Sequence, residues 1–268
     1  MKKIIVLITH YNNLEGLKAS LLSISEEFPV DVMIVDDGST FKPKLRDIEN
    51  YYTSGNVFIE FLSENSGISV AANKGIKKIE ALGYEIIARL DCGDLCFSNR
   101  FKKQLNYLED NPEVKILGGW ANVKNTQGEL LHILKHPTSH QEIQKKMYLN
   151  NMFVNPTVLF YTEVAQKVGY YNPEYSRAAQ DYAFFFEAMK SFKAENLPEV
   201  LIDYIVEDSS ISTKNRKLQV KNRLKIIKRH FYIGFYPIMG ILRNLPLLYI
   251  SRGTANKLKQ QLNLVQKK

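Results

Sequence analysis

The chain is predicted to be an α/β domain with a basic helical appendage, and three observations lead to that class. Apolar runs at Lys3 to Thr9, Asp31 to Val35, Asn56 to Leu62 and Tyr84 to Leu90 alternate with helical patterns at Leu14 to Ser25, Pro43 to Tyr51 and Gly67 to Leu82. Such alternation is the signature of βαβ units on a parallel sheet. Two of the runs end in paired carboxylates beside a glycine, Asp36-Asp37-Gly38-Ser39 and Asp91-Cys92-Gly93-Asp94. Strands of an open α/β sheet deliver ligand contacts at their carboxyl ends, so both loops are expected to face one crevice. Charge is divided along the sequence: all 28 acidic residues lie at or before Asp208, and residues 214–268 carry 14 Lys and Arg with no acid. The preceding residues hold 22 basic against 28 acidic side chains, so the net charge of +8 belongs to the tail.

The elements follow in order. Leu14, Leu17, Leu21, Leu22 and Ile24 recur at helical spacing and cover the first strand. Residues up to about 97 form a nucleotide-binding half. In a second half, about 98–212, Ser98 can cap a helix through Glu109, and Val114 to Trp120 and Glu129 to Leu134 read as strands. Ser139-His140-Gln141-Glu142 is a capping box opening a helix to about Leu149, a further helix starts near Gln180, and Glu199 to Val206 reads as a strand. No internal repeat interrupts this order, and no linker is expected before Ser209. Residues 213–268 are the basic, amphipathic appendage.

Several classes are excluded. Cys92 and Cys96 give no disulfide framework and fit a reducing compartment. Met1-Lys2-Lys3 with Ile4 to Ile8 is too short for a secretory signal and reads as a first strand. Neither G-x-G-x-x-G nor G-x-x-x-x-G-K-[ST] occurs, which disfavours dehydrogenases and P-loop enzymes. A sugar nucleotidyltransferase is the rival enzyme, but Thr9 to Asn13 lacks the glycine-rich basic loop it needs. No nucleic-acid fold motif is present, so no nucleic-acid partner is expected.

The chemistry-bearing residues have plain readings beside functional ones. Asp, Gly and Ser favour turns for backbone reasons alone. The neighbouring strand ends in Thr9-His10-Tyr11-Asn12, however, where Thr9 and Tyr11 can hold a base or ribose while Asp37 accepts from a base N–H or ribose hydroxyl. Asn65 is assigned to the nucleotide, whereas packing explains Gly67, Ala71 and Gly75. A β-turn with Gly93 third would bring Asp91 and Asp94 together on one Mg²⁺ or Mn²⁺, although Asp94 or Ser98 can equally cap the next helix. By spacing alone Asp181 is a cap, and its first-turn position is expected to lower its pKa. His132, His136 and His140 recur every four residues, but Pro137 breaks the helix that a metal face would need.

In the tail, Lys214 to His230 carries eight basic residues and Phe231 to Ile250 is apolar, interrupted by Pro237, Arg243, Asn244 and Pro246. Lying in an anionic membrane interface, with Tyr232, Tyr236 and Tyr249 at headgroup depth, suits it better than spanning. Helices packed back on the body are the alternative for the apolar part.

Together, Thr9-His10-Tyr11-Asn12, Val35-Asp36-Asp37-Gly38-Ser39, Asn65-Ser66-Gly67, Arg89-Leu90-Asp91-Cys92-Gly93-Asp94 and Gln180-Asp181-Tyr182 resemble family 2 of the glycosyltransferases, over about Lys3 to Ser212. The resemblance implies the GT-A fold, a Rossmann-type mixed sheet flanked by helices. It also implies inverting hexosyl transfer from a nucleoside-diphosphate sugar (UDP-, dTDP- or GDP-linked) to an acceptor hydroxyl. The bacterial enzymes that build O-antigen or capsule on a lipid carrier are the nearest in character, which implies a cytoplasmic enzyme peripheral on the inner face of the plasma membrane. By the same resemblance Thr9, Tyr11, Asp36, Asp37, Asn65 and Arg89 would hold the nucleotide sugar, Asp91 the divalent cation on its diphosphate, and Asp181 would be the general base. Two departures stand out: Gly93 replaces an Asp common in the family, and Asn155-Pro156-Thr157 has Asn where relatives often carry His. The first leaves room for an inactive transferase-like body serving as a membrane- or nucleic-acid-binding module.

Overall fold

Residues 3–206 and 216–249 are described by the computed structural model. The boundary expected at Ser209 to Ser212 and the end of the tail, residues 250–268, lie outside the described residues.

The four apolar runs of the first half become parallel strands β1 (Ile4–His10), β2 (Asp31–Asp36), β3 (Val57–Phe61) and β4 (Ile86–Arg89), in spatial order β3-β2-β1-β4. They alternate with helices α1 (Leu14–Ser23), α2 (Leu45–Glu49) and α3 (Ile68–Ala81). Strands β1, β2 and β4 are covered on both faces, which is why they read as unbroken apolar runs. Because β1 lies between β2 and β4, the strand order reverses there, the place where open α/β sheets generally take ligands at the carboxyl ends of their strands. Register places His10 beside Asp36 and Leu7 beside Arg89. Helix α3 lies close on the sheet because Gly75 leaves room for the side chains of Leu7 and Val35.

The second half extends the same sheet through β5 (Leu95–Cys96), β6 (Val114–Asn125), β7 (Leu130–Leu134), β8 (Leu159–Tyr161) and β9 (Lys193–Val206). Strand β8 is antiparallel to both β4 and β6, β9 is parallel to β6, β5 closes the far edge, and β7 folds back on β6. Helices α4 (Arg100–Asp110), α5 (His140–Lys146), α6 (Thr162–Val168) and α7 (Gln180–Ala188) lie between these strands in the chain. Helices α8 (Arg216–Arg229) and α9 (Phe235–Asn244) follow. Val220, Leu224, Ile226 and Ile227 bury one face of α8, so the tail does pack on the body along that face.

Three departures from the sequence reading have physical causes. Strand β9 begins at Lys193, earlier than Glu199, because a register shift between Gly118 and Trp120 lets Pro198 sit inside it without a ladder bond. The capping box at Ser139 does not form: its side chain makes no cap bond, and Glu142 pairs with Lys146. Ser98 does not cap α4 either. The Glu26 carboxylate, arriving from the end of the α1 segment, accepts from the amides of Phe101 and Lys102 at 2.7 and 3.0 Å.

The tight seat of α3 is testable. Gly75→Leu is expected to cost about 1–3 kcal/mol by overpacking against Leu7 and Val35. The check is the urea midpoint of unfolding, with the slope unchanged.

Candidate active site

The loops at the carboxyl ends of the parallel strands are tied to one another through named bonds. At the end of β1, His10 Nε2 accepts from the Asn13 amide, so the ring proton sits on Nδ1 and is donated to Asp36 Oδ1 at 2.7 Å. The other Asp36 oxygen accepts from the Ser39 amide, and Ser39 Oγ accepts from the Asn12 amide. Asp36 is fully buried with both oxygens engaged. It orders the end of β1, where Thr9 lies, and the loop carrying Tyr11. Asp37 accepts from the amides of Ser66 and Gly67 at 2.8 and 2.9 Å, fixing the loop on which Asn65 is exposed. Gly38 makes this junction possible: its φ is +69°, and a β-carbon there would collide with the backbone of Glu64.

At the end of β4, the Asp94 amide donates to the Asp91 carbonyl at 3.0 Å, closing the expected β-turn around Gly93. Gly93 has φ of +104°, a backbone conformation that strains any L side chain. The Asp91 side chain is 31% exposed, and Arg89 Nη2 donates to its Oδ1 at 3.3 Å. Asn155 Nδ2 lies 3.4 and 3.5 Å from its two oxygens. Asp94 is buried, with Oδ1 accepting from the Ile205 amide of β9 and Oδ2 unpartnered. Burial first, then the charge of Asp91, holds its carboxyl well above the usual range.

Asp181, at the start of α7, accepts from Asn151 Nδ2 at 2.8 Å. Burial raises its pKa, Asp91 adds to that effect, and bonds from the Tyr182 amide and Asn151 oppose it. Desolvation outweighs the helix terminus, so the expected lowering is corrected. The buried Tyr171 hydroxyl is pushed up to about 12 by burial, with Arg89 opposing and Asp181 and Asp91 adding. Tyr204 is likewise raised, by burial and then by Asp94, Asp91 and Asp181. Asn151 and Asn155, four residues apart in sequence, contact Asp181 and Asp91 respectively and so link the two carboxylates through one segment.

Second-half segments close the ring. Asn73 of α3 and Tyr171 exchange two bonds, Nδ2 to the Tyr171 carbonyl at 2.8 Å and the Tyr171 amide to Oδ1 at 2.9 Å. Among the described residues, nine buried side-chain atoms lack a partner, and five belong to this locus: Arg89 Nε and Nη1, Asp94 Oδ2, Asn155 Oδ1 and Tyr171 Oη. Buried polar atoms are normally satisfied, so such a concentration marks a place built for a polar ligand. The open Asp91 carboxylate and the orphaned Asp94 Oδ2 are hard oxygen donors that fit Mg²⁺ or Mn²⁺. Among the described residues no group of three or more His, Cys, Asp or Glu could hold a metal, so such an ion would depend on water and substrate oxygens for its remaining ligands.

His132, His136 and His140 fall on β7, a connector and the start of α5, and His140 Nδ1 accepts from the Ala194 amide. Sequence reasoning missed His10 as the hub, and Asn151, Tyr171 and Tyr204 as parts of the site. Only His10, inside an already suspected motif, carried a local signal.

Residues 5–169 match the family profile of Glycosyl transferase family 2. The amylovoran biosynthesis glycosyltransferase AmsE of Erwinia amylovora is 24% identical over 228 residues, covering 83% of this chain and 84% of its own. The UDP-Gal:alpha-D-GlcNAc-diphosphoundecaprenol beta-1,3-galactosyltransferase of Escherichia coli is 26% identical over 211 residues, covering 78% and 74%. A structure of S. aureus TarS superimposes with a TM-score of 0.69 at 18% identity, covering 98% of this chain and 76% of its own. The mannosyltransferase PcManGT of Pyrobaculum calidifontis, solved with GDP-Man and Mn²⁺, gives 0.67 at 17% identity, covering 99% and 81%. These likenesses establish the fold as GT-A: a mixed sheet with flanking helices.

Two substitutions test the frame. Asp36→Ala strands the His10 Nδ1–H and the Ser39 amide, at about 1–3 kcal/mol for each buried donor left without an acceptor. Gly93→Ala is expected to cost about 1–3 kcal/mol through backbone strain. Chemical denaturation checks both.

Proposed function

We propose roles for these residues from the premise that the chain belongs to glycosyl transferase family 2. Membership makes it a nucleotide-sugar-dependent glycosyltransferase. The finer reading is an inverting hexosyl transfer from a UDP-, dTDP- or GDP-sugar to a hydroxyl of a lipid-linked glycan, in surface-polysaccharide synthesis. One observation supports it: the turn after β4 sets Asp91 beside Arg89 and Asn155, and five buried polar atoms of Arg89, Asp94, Asn155 and Tyr171 have no partner there. The E. coli relative, named for a UDP-Gal donor and a diphosphoundecaprenol-linked acceptor, supports the substrate classes.

Thr9 at the end of β1, with Tyr11 and Asn65 on loops, holds the nucleoside, and the remaining lone pairs of Asp37 serve as acceptors. The buried Arg89 keeps Asp91 in position and presents two unpartnered N–H groups to the nucleotide sugar. Asp91, with Asp94 Oδ2, would hold a divalent cation, which supplies neutralisation of the negative charge growing on the leaving diphosphate. Asp181 takes the proton of the acceptor hydroxyl as its oxygen bonds to the anomeric carbon. The bond from that carbon to the diphosphate oxygen breaks in the same displacement, inverting its configuration. Burial strengthens Asp181 as a base, since a raised pKa increases its hold on the incoming proton. Asn151 fixes the orientation of its carboxylate.

The proposed setting is the inner face of the plasma membrane, reached through the C-terminal region. No helix among the described residues is long and apolar enough to cross a membrane. The basic helix α8 favours a peripheral contact with anionic lipid.

Asp181→Asn is expected to cut kcat about 10²–10⁴-fold with UDP affinity nearly unchanged, whereas Asp91→Ala weakens nucleotide binding as well. Retention of full turnover in Asp181→Asn would refute the base. The acid limb of kcat should follow Asp181, and Asn151→Ala, removing a bond that lowers its pKa, should move that limb to higher pH. The folded pKa of Asp181 lies above the ordinary value of 3.8, so its contribution to stability is complete below that value. That contribution is lost as pH rises through the folded pKa. Asp181→Asn should therefore melt no lower than the parent at neutral pH, as scanning calorimetry can check.

A further inference from the structure

We propose that the outward face of α9, with the turn leading into it, docks in the plane of an anionic lipid bilayer. The inference rests on the membrane setting proposed above and names the surface that makes the contact. Helix α9 turns small and polar residues toward the protein, with Tyr236 and Ile241 partly packed on the core, while Phe235, Ile238, Met239 and Leu242 stay exposed. Pro237, Gly240 and Asn244 are its buried positions. Gly240 approaches the Tyr148 carbonyl so closely that a β-carbon would collide with it. Asn244 Nδ2 donates to the Gly240 carbonyl, and Asn244 Oδ1 accepts from Arg223 of α8.

The opposite face carries Ile238, Leu242 and Leu245, all exposed. At its two ends stand Ile233, Phe235 and Tyr249, at 92%, 70% and 87% exposure. Scattered apolar side chains on a surface need no explanation, but a continuous stripe along one helix marks an interaction site. Charge selects the occupant. Helix α8 carries seven Lys and Arg and no acid, and no acidic residue follows Asp208 anywhere in the sequence. A second copy docked about a twofold axis would bring like charges together, whereas an anionic leaflet neutralises them and accepts the apolar stripe. At 10 residues α9 spans about 15 Å, half of a hydrocarbon core, so it lies flat.

The test is co-sedimentation of the full chain with vesicles of phosphatidylcholine alone or mixed with phosphatidylglycerol. Binding to the mixed vesicles, weakened by salt and weak to phosphatidylcholine alone, is expected. The double variant Ile233→Asp with Phe235→Asp, and separately Leu242→Asp, should lower partitioning at least about tenfold with circular dichroism unchanged. Wild type that ignores the mixed vesicles overturns the proposal, whether another copy or the chain's own residues 250–268 cover the stripe. So does binding that salt abolishes but the Asp variants leave intact, which would make the contact charge alone. UDP binding measured on the same samples separates this outcome from failure of the transferase reading, since none of these side chains belongs to the cleft.

Discussion

The buried bond between His10 and Asp36 is the constraint on which the cleft depends. Parallel pairing of β1 and β2 brings the two residues side by side, and their side chains then convert strand register into loop geometry. His10 reaches Asn13 at the start of α1, and Asp36 reaches Ser39. From there the order propagates outward: Asp37 holds the Asn65 loop, and Asn13 meets Cys92 in the turn after β4. This chain of contacts determines where the loops after β1, β2 and β4 stand relative to one another.

The first half was legible because its information is local and periodic. Runs buried on both faces announce parallel strands, and turn residues at their ends announce the loops. The second half was legible only in pieces. Strand β8 has three residues and β5 two, too few for any period to show. The N-terminus of α4 is served by Glu26, some seventy-five residues away in sequence, where local reasoning had chosen Ser98. Asp181 shows the same limit in the site: spacing marks it as a cap, the family resemblance marks it as a base, and neither discloses the burial that raises its pKa. Tyr171 and Tyr204 lacked any motif, because their relation to the carboxylates is created wholly by folding.

The site is arranged against its own stability. Asp91, Asp94 and Asp181 repel one another in partly dehydrated surroundings, and five buried polar atoms nearby have no internal partner. A fold selected only for persistence would replace such groups with apolar ones or pair them. Their retention is intelligible if a cationic and hydroxyl-rich ligand completes the network, so the unfavourable apo arrangement is the preorganised form of a favourable complex.

The doubly bonded junction between Asn73 and Tyr171 bears on how such enzymes can be recombined. A hybrid that joins the first half of one relative to the second half of another cuts the covalent chain between the halves, but it also cuts this non-covalent seam. Matching fragments at their sequence boundary is then insufficient. The partner contributing residue 171 must meet a side chain on the foreign α3 that can both give and receive a backbone bond, or the second half will drift from the first.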